Sequence, residues 1–248
     1  MTEASTWRDG GTTQWAILPF FRVYFPLLGV AVASLSRIKD DVERYRSSFR
    51  KAVRLLFALT LPALAFQLVS AHDVILLLLG GKWMAAVPLF QVLTVGALVG
   101  APNWVMRWVY MSEGRTRRQL TWWLISAPVM IGAVAAGLPW GALGVAVGST
   151  AAACVLVAPG VLFALSGSRL TMGDVVVGLW RPAVAATVAG LATVAVNLVM
   201  PQIPILILRL AASAAFFGAM YLGCWCVTSR SRQEVREMLG VVRLLRSR

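Results

Sequence analysis

Long apolar runs separated by short polar connections dominate the chain. Seven runs stand out, at about 15–35, 52–70, 86–111, 120–138, 142–165, 182–200 and 205–227. A helix of roughly 20 mostly apolar residues, rising about 1.5 Å per residue, crosses about 30 Å of hydrocarbon. The pattern therefore predicts an all-α fold, a polytopic membrane bundle of about seven transmembrane helices.

The connections carry patterns of their own. Residues 1–14 form a polar N-terminal segment without the basic start and apolar core of a secretory signal. The first run holds Pro19, Pro26 and Arg22, which predicts a kinked or irregular span, and the second holds Pro62. Between them lies SRIKDDVERYRSSFRKAVR, where Val42, Tyr45, Phe49 and Val53 recur at helical spacing. That spacing predicts a helix lying on the membrane surface before it enters. DVILLLLGGKW is too short to cross and reads as a half-inserted interfacial turn, ended by Gly80 and Gly81 and anchored by Trp83. PWG at 139–141 and PQIP at 201–204 are tight turns. In the tail, 228–248, Val235, Met238, Leu239, Val242 and Leu245 share one helical face, predicting a basic amphipathic helix on the membrane surface.

Composition agrees with this class: 59% hydrophobic residues, 13% charged and a mean hydropathy of +0.77. In a soluble protein the net charge of +13 would point to nucleic acid. Here the basic residues sit mostly between spans, so no nucleic-acid partner is expected. Lys and Arg number 7 in the connection from Arg37 to Arg54, 1 at Lys82, 3 from Arg115 to Arg118, 0 in PWG, 2 at Arg169 and Arg181, 0 in PQIP and 6 in the tail. Rich and poor connections alternate without a break, which places the rich ones and the C-terminus in the cytoplasm. The expected location is the cell inner (cytoplasmic) membrane. The polar N-terminus would then lie outside, natural if the chain is the later part of a longer protein.

Chemistry-bearing residues are sparse. Cys154, Cys224 and Cys226 fall in apolar runs and read as packed thiols, and the lone His72 beside Asp73 reads as a solvated surface group. No metal site, no cofactor and no enzymatic constellation is expected. All 10 acidic residues fall in connections or tails, which disfavours a cation-coupled exporter needing an intramembrane carboxylate. Three arginines do lie within the runs. Arg22 sits about 10 Å into its span by helical rise, where a guanidinium calls for a polar cavity or an anionic partner, and its planar fork suits phosphate. Arg107 and Arg209 lie about one turn from span ends, where snorkelling competes with a ligand role. Asn103, Gln67 and Gln91 could bond between helices or line a wet cavity. Trp104, Trp108, Trp122 and Trp123 read first as interface anchors, with stacking against sugar rings as the second reading.

Several segments together resemble the oligosaccharide flippases for polysaccharide and lipopolysaccharide export, within the superfamily that includes the multidrug exporters. They are FRVYFPLLGVAVASLSRIKDDVERYRSSFRKAVRLLFALTLP, LLLLGGKWMAAVPLFQVL, EGRTRRQL and GLPWGALGVAVG, in that order, and the resemblance extends over roughly residues 16–227. It implies one lobe of a two-lobed exporter-type fold, with the seven spans resembling the last seven of fourteen and the first lobe lacking. It also implies movement of an undecaprenyl-diphosphate-linked oligosaccharide between leaflets by alternating access. Arg22 matches a basic position seen before the proline of that pattern, and with Arg107 and Asn103 it is the candidate contact to diphosphate or sugar. The implied partners are the lipid-linked oligosaccharide, membrane lipid, a separate N-terminal lobe and other polysaccharide-assembly membrane proteins. Two alternatives stay open: a non-transporting remnant or subunit needing a partner lobe, and a cation-coupled small-molecule exporter.

Overall fold

A computed structural model describes residues 41–199 and 205–228, and these are helical with no strand among them. The helices are α1 (Val42–Val69), α2 (Ala71–Leu78), α3 (Val87–Ser112), α4 (Thr116–Gly137), α5 (Gly141–Leu165), α6 (Met172–Val199) and α7 (Leu206–Thr228). Short 3-10 turns cover Gly81–Ala86 and Leu138–Trp140. Five continuous helical stretches are long and apolar enough to cross a membrane. The 50-residue stretch Thr116–Leu165 folds back at Leu138–Trp140 into α4 and α5, so six such helices are described. The protein is a multi-pass helical membrane bundle. The first expected span (15–35), the N-terminal segment, the PQIP turn and nearly all of the tail lie outside the described residues.

The helices pack side by side in the order α4, α5, α3, α1, α6, α7. The core lies along α1, α3 and α6, around Tyr45, Phe49, Phe57, Val105, Val109 and Ala189. Hydroxyls fasten neighbours across it. The Tyr45 and Ser112 oxygens are 2.7 Å apart between α1 and α3, Thr150 Oγ1 donates to the Val92 carbonyl at 3.0 Å between α5 and α3, and Tyr221 donates to the Ala58 carbonyl at 2.9 Å between α7 and α1. In an apolar setting these bonds satisfy groups that lipid cannot.

α1 corrects one expectation. The segment carrying Tyr45, Phe49 and Val53 does not form a separate helix on the membrane surface. It is the first part of one continuous helix, capped by Asp41, whose carboxylate accepts from the Arg44 amide at 3.1 Å. All three side chains are buried within the bundle. The repeat that suggested a lipid-facing stripe is a helix–helix seam, because α6 supplies the apolar surface it needs.

α6 begins ten residues before its expected span, and this changes the standing of one carboxylate. Asp174 lies in the first turn of α6 rather than in a connection, only 5% exposed. It accepts from the Thr171 amide at 2.8 Å and from the Thr171 hydroxyl at 3.0 Å, closing the helix start. Asp73, likewise expected in a connection, lies in α2 and pairs with Arg209 of α7, whose Nε donates to it at 2.9 Å. His72 is exposed beside it, with Nδ1 3.2 Å from Asp73. Cys154, expected to be packed, is exposed on α5, and Cys224 is half-buried.

Candidate functional site

α3 and α4 are joined by a tight corner at Gly114, whose φ of +68° a side chain would strain. Away from that corner they diverge, because α5 lies between them and packs on both. The result is a cleft of about 570 Å³ between α3 and α4, floored by α5. Its size lies in the usual range of a small-molecule or lipid-headgroup site.

The cleft wall on α3 includes Asn103, Arg107 and Tyr110, spaced i, i+4, i+7 and therefore on one face. The facing wall on α4 includes Gln119, Trp122 and Trp123. Gly160 forms part of the floor. A Cβ there would stand 2.9 Å from the Trp122 ring and 3.0 Å from Asn103 Oδ1, so its missing side chain lets the amide and the indole meet over α5. Trp122 leans in turn on Phe163, with ring centroids 5.6 Å apart, and the Arg118 guanidinium lies over Phe163 at 4.6 Å. The platform is held from behind.

Polar groups in the cleft are mostly unengaged. Among the described residues, Arg107 has no ion pair and its side chain is exposed. Among the same residues Asn103 and Gln119 make no side-chain hydrogen bond, and the buried Tyr110 hydroxyl has no partner. Among the described residues the lining carries one guanidinium and no carboxylate. An unpaired cation in a mostly apolar wall favours an anion. Two other basic groups near the cleft, Arg115 and Arg118, are occupied. Arg115 donates to the Ser166 carbonyl at 2.8 Å and Arg118 to the Phe163 carbonyl at 3.1 Å, closing the last turn of α5.

Of the three residues expected at a site, Asn103 and Arg107 lie together in this cleft, and Arg22 falls outside the described residues. Tyr110 and Gln119 were not singled out from the sequence, although Tyr110 continues the helical spacing from Asn103 through Arg107. Trp104, Trp122 and Trp123 line the cleft, whereas Trp108 turns the other way and is buried in the core. Gln67 is half-buried and Gln91 exposed, both away from the cleft. Among the described residues no group of three potential metal ligands comes together.

The family model described as polysaccharide biosynthesis protein matches residues 12–88. An uncharacterized membrane protein in the cps region of Klebsiella pneumoniae is 36% identical over 74 residues, 30% of this chain and 14% of that protein. Lipopolysaccharide biosynthesis protein WzxC of Escherichia coli (strain K12) is 27% identical over 84 residues, 34% of this chain and 17% of that protein. The match thus spans less than a fifth of the length of either relative. The family match takes in α1 and α2 and ends before the cleft begins. The family match over residues 12–88 and the similarity to these two proteins are in line with the resemblance carried by the sequence motifs.

Proposed function

We propose that this protein takes part in moving an undecaprenyl-diphosphate-linked oligosaccharide across the cytoplasmic membrane for polysaccharide or lipopolysaccharide biosynthesis. The observation that carries the reading is Arg107, a guanidinium with no counter-ion among the described residues, in the wall of a mostly apolar, aromatic-lined cleft. Such a group is suited to a diphosphate, which accepts two parallel charge-assisted bonds from one guanidinium. Asn103, one turn away, offers an amide to the same headgroup. Arg22 joins them on the strength of the family resemblance. A cation exporter would be served by a carboxylate in the cleft, and the described lining residues provide none.

In this reading the spans form one lobe, and a first lobe completes the transport path. The basic connections and the tail face the cytoplasm, as the alternation of lysine and arginine supports. The match of residues 12–88 to the polysaccharide-biosynthesis family model, with the similarity to WzxC, favours this substrate class over a drug-like cargo.

The test is binding of a polyprenyl diphosphate and of the matching uncharged polyprenol to the purified chain in lipid nanodiscs. The diphosphate should bind at least about tenfold more tightly, and Arg107→Ala should remove most of that preference. Equal binding of the two lipids, or a preference indifferent to Arg107→Ala, would overturn the assignment.

A further inference from the structure

The middle of α1 departs from an ordinary helix in three ways. Pro62 has no amide hydrogen, so the Ala58 carbonyl four residues earlier lacks its helical donor. That carbonyl accepts instead from the Tyr221 hydroxyl of α7 at 2.9 Å, which satisfies it in place of the missing amide. Just before the proline, the Thr60 hydroxyl donates back to the Leu56 carbonyl at 2.6 Å, a bond that favours bending.

Burial changes at the same place. The buried side chains of α1 run from Tyr45 to Leu61 and stop short of the proline. From Pro62 to Val69 every residue is half-buried or exposed. The chain docks again at the α1–α2 junction, where Ser70, Ala71 and Ile75 are buried. Beyond α2, Gly80 holds φ at +81°, and a Cβ at Gly80 or Gly81 would meet nothing within 4 Å. The 3-10 turn that follows, Gly81–Ala86, buries none of its residues. Pro62 and Gly80 thus bracket a helical segment with a joint at each end and its anchorage between them.

That anchorage is ionic as well as apolar. Asp73, in the first turn of α2, takes a two-pronged bond from Arg209 of α7, with Nε at 2.9 Å and Nη2 on the other oxygen. The two side chains are 17% and 24% exposed. A pair at that depth lies between a screened surface bridge and a fully buried one, firm enough to hold and close enough to water to release. Arg209 and Tyr221 stand about 18 Å apart along α7 by helical rise. α7 therefore grips the segment near its pivot and near its apex.

We propose that Pro62–Leu79 is a hinged flap, pivoting at Pro62 and at Gly80–Gly81 and latched onto α7 by the Asp73–Arg209 pair. Breaking the pair swings the α1–α2 junction away from α7 and opens the end of the bundle remote from the Gly114 corner. The first part of α1 stays in place, held to α3 by Tyr45 and to α6 by Asp174. The flap stands whatever the cleft between α3 and α4 binds.

The experiment replaces the three native cysteines by alanine and places a single reporter by Ser70→Cys, a nearly isosteric change at a residue 5% exposed. The full chain in lipid nanodiscs is treated with N-ethylmaleimide, and the labelling rate follows the open population. The rate at Ser70→Cys should be slow, and Asp73→Asn should raise it at least about tenfold. Adding Pro62→Ala, which restores the amide at the pivot, should reverse most of that rise. A reporter in the core of α3, Val105→Cys at a residue 0% exposed, should label slowly with and without Asp73→Asn. A rate at Ser70→Cys unmoved by Asp73→Asn would overturn the latch, and a rise that survives Pro62→Ala would overturn the pivot. A parallel rise at Val105→Cys would mean general loosening and overturn the flap.

Discussion

The guanidinium of Arg50 meets the carboxylate of Asp174 at 2.8 Å, joining the early part of α1 to the first turn of α6. Arg46 stands 3.9 Å from the same carboxylate and donates to the Arg169 carbonyl at 2.7 Å. The side chain of Asp174 is nearly enclosed, while both arginines reach water. Asp174→Ala removes an ion-pair partner and the bonds to Thr171 together. The expected loss is about 1–2 kcal/mol, the upper range of a helix cap with a partly screened pair. Asp174→Asn keeps a cap oxygen and should lose less. Thermal unfolding of both variants in detergent measures the difference, and an Asn variant as weak as the Ala variant would deny the cap its share.

Farther along the same seam, Gly178 of α6 lies against Val53 of α1. A Cβ at Gly178 would fall 2.7 Å from Val53 Cγ1. Gly178→Ala should therefore destabilise by about 1–3 kcal/mol, the usual cost of overpacking. Val53→Ala should recover part of that loss when combined with it, giving a coupled pair. Gly132 has open space around its Cβ position. There, alanine should be neutral or stabilising by up to about 1 kcal/mol through helix propensity.

Tyr45 and Ser112 share a buried hydrogen bond of 2.7 Å. Ser112→Ala should cost about 1–2 kcal/mol, because it strands the tyrosine hydroxyl. Adding Tyr45→Phe should cost little more than the single change. A fully additive double variant would mean that the two hydroxyls do not depend on each other.

The corner at Gly114 and the Leu138–Trp140 turn lie at opposite ends of α4, whose 22 residues rise about 33 Å. Cysteine placed at Arg117 should be labelled by a membrane-impermeant reagent from the cytoplasmic side only, and cysteine at Trp140 from the other side only. Both residues are exposed. Labelling of the two from one side would invalidate the orientation drawn from the lysine and arginine count.

Much of this architecture is legible one residue at a time, and the misses have physical causes. Apolar runs mark the described spans because lipid demands length and apolarity from each helix separately. The early part of α1 looks solvent-facing because its charge density suggests water, and its neutralising partner, Asp174, lies more than 120 positions away. Nothing local shows that Tyr45, Phe49 and Val53 face protein rather than lipid, since both are apolar. At the cleft, Asn103 and Arg107 stood out as polar groups in an apolar run. Tyr110 did not, because a tyrosine near a span end looks like an interface anchor. Its burial emerges only when α3 is set among its neighbours. Gln119 is hidden in the sequence by the basic turn it follows. The convergence of α3 and α4 on α5 is tertiary, and no spacing within one helix foretells it.

The bonds from Arg115 and Arg118 to the end of α5 have a mechanical result for the cleft. They rivet the α3–α4 corner to the third wall at the very place where the walls are closest. The opposite ends are tied as well, since Leu138–Trp140 turns α4 straight into α5 and Thr150 of α5 bonds the Val92 carbonyl of α3. With α5 fastened to each wall near both ends, the cleft is a notch of fixed width, and whatever enters it must fit the room already there.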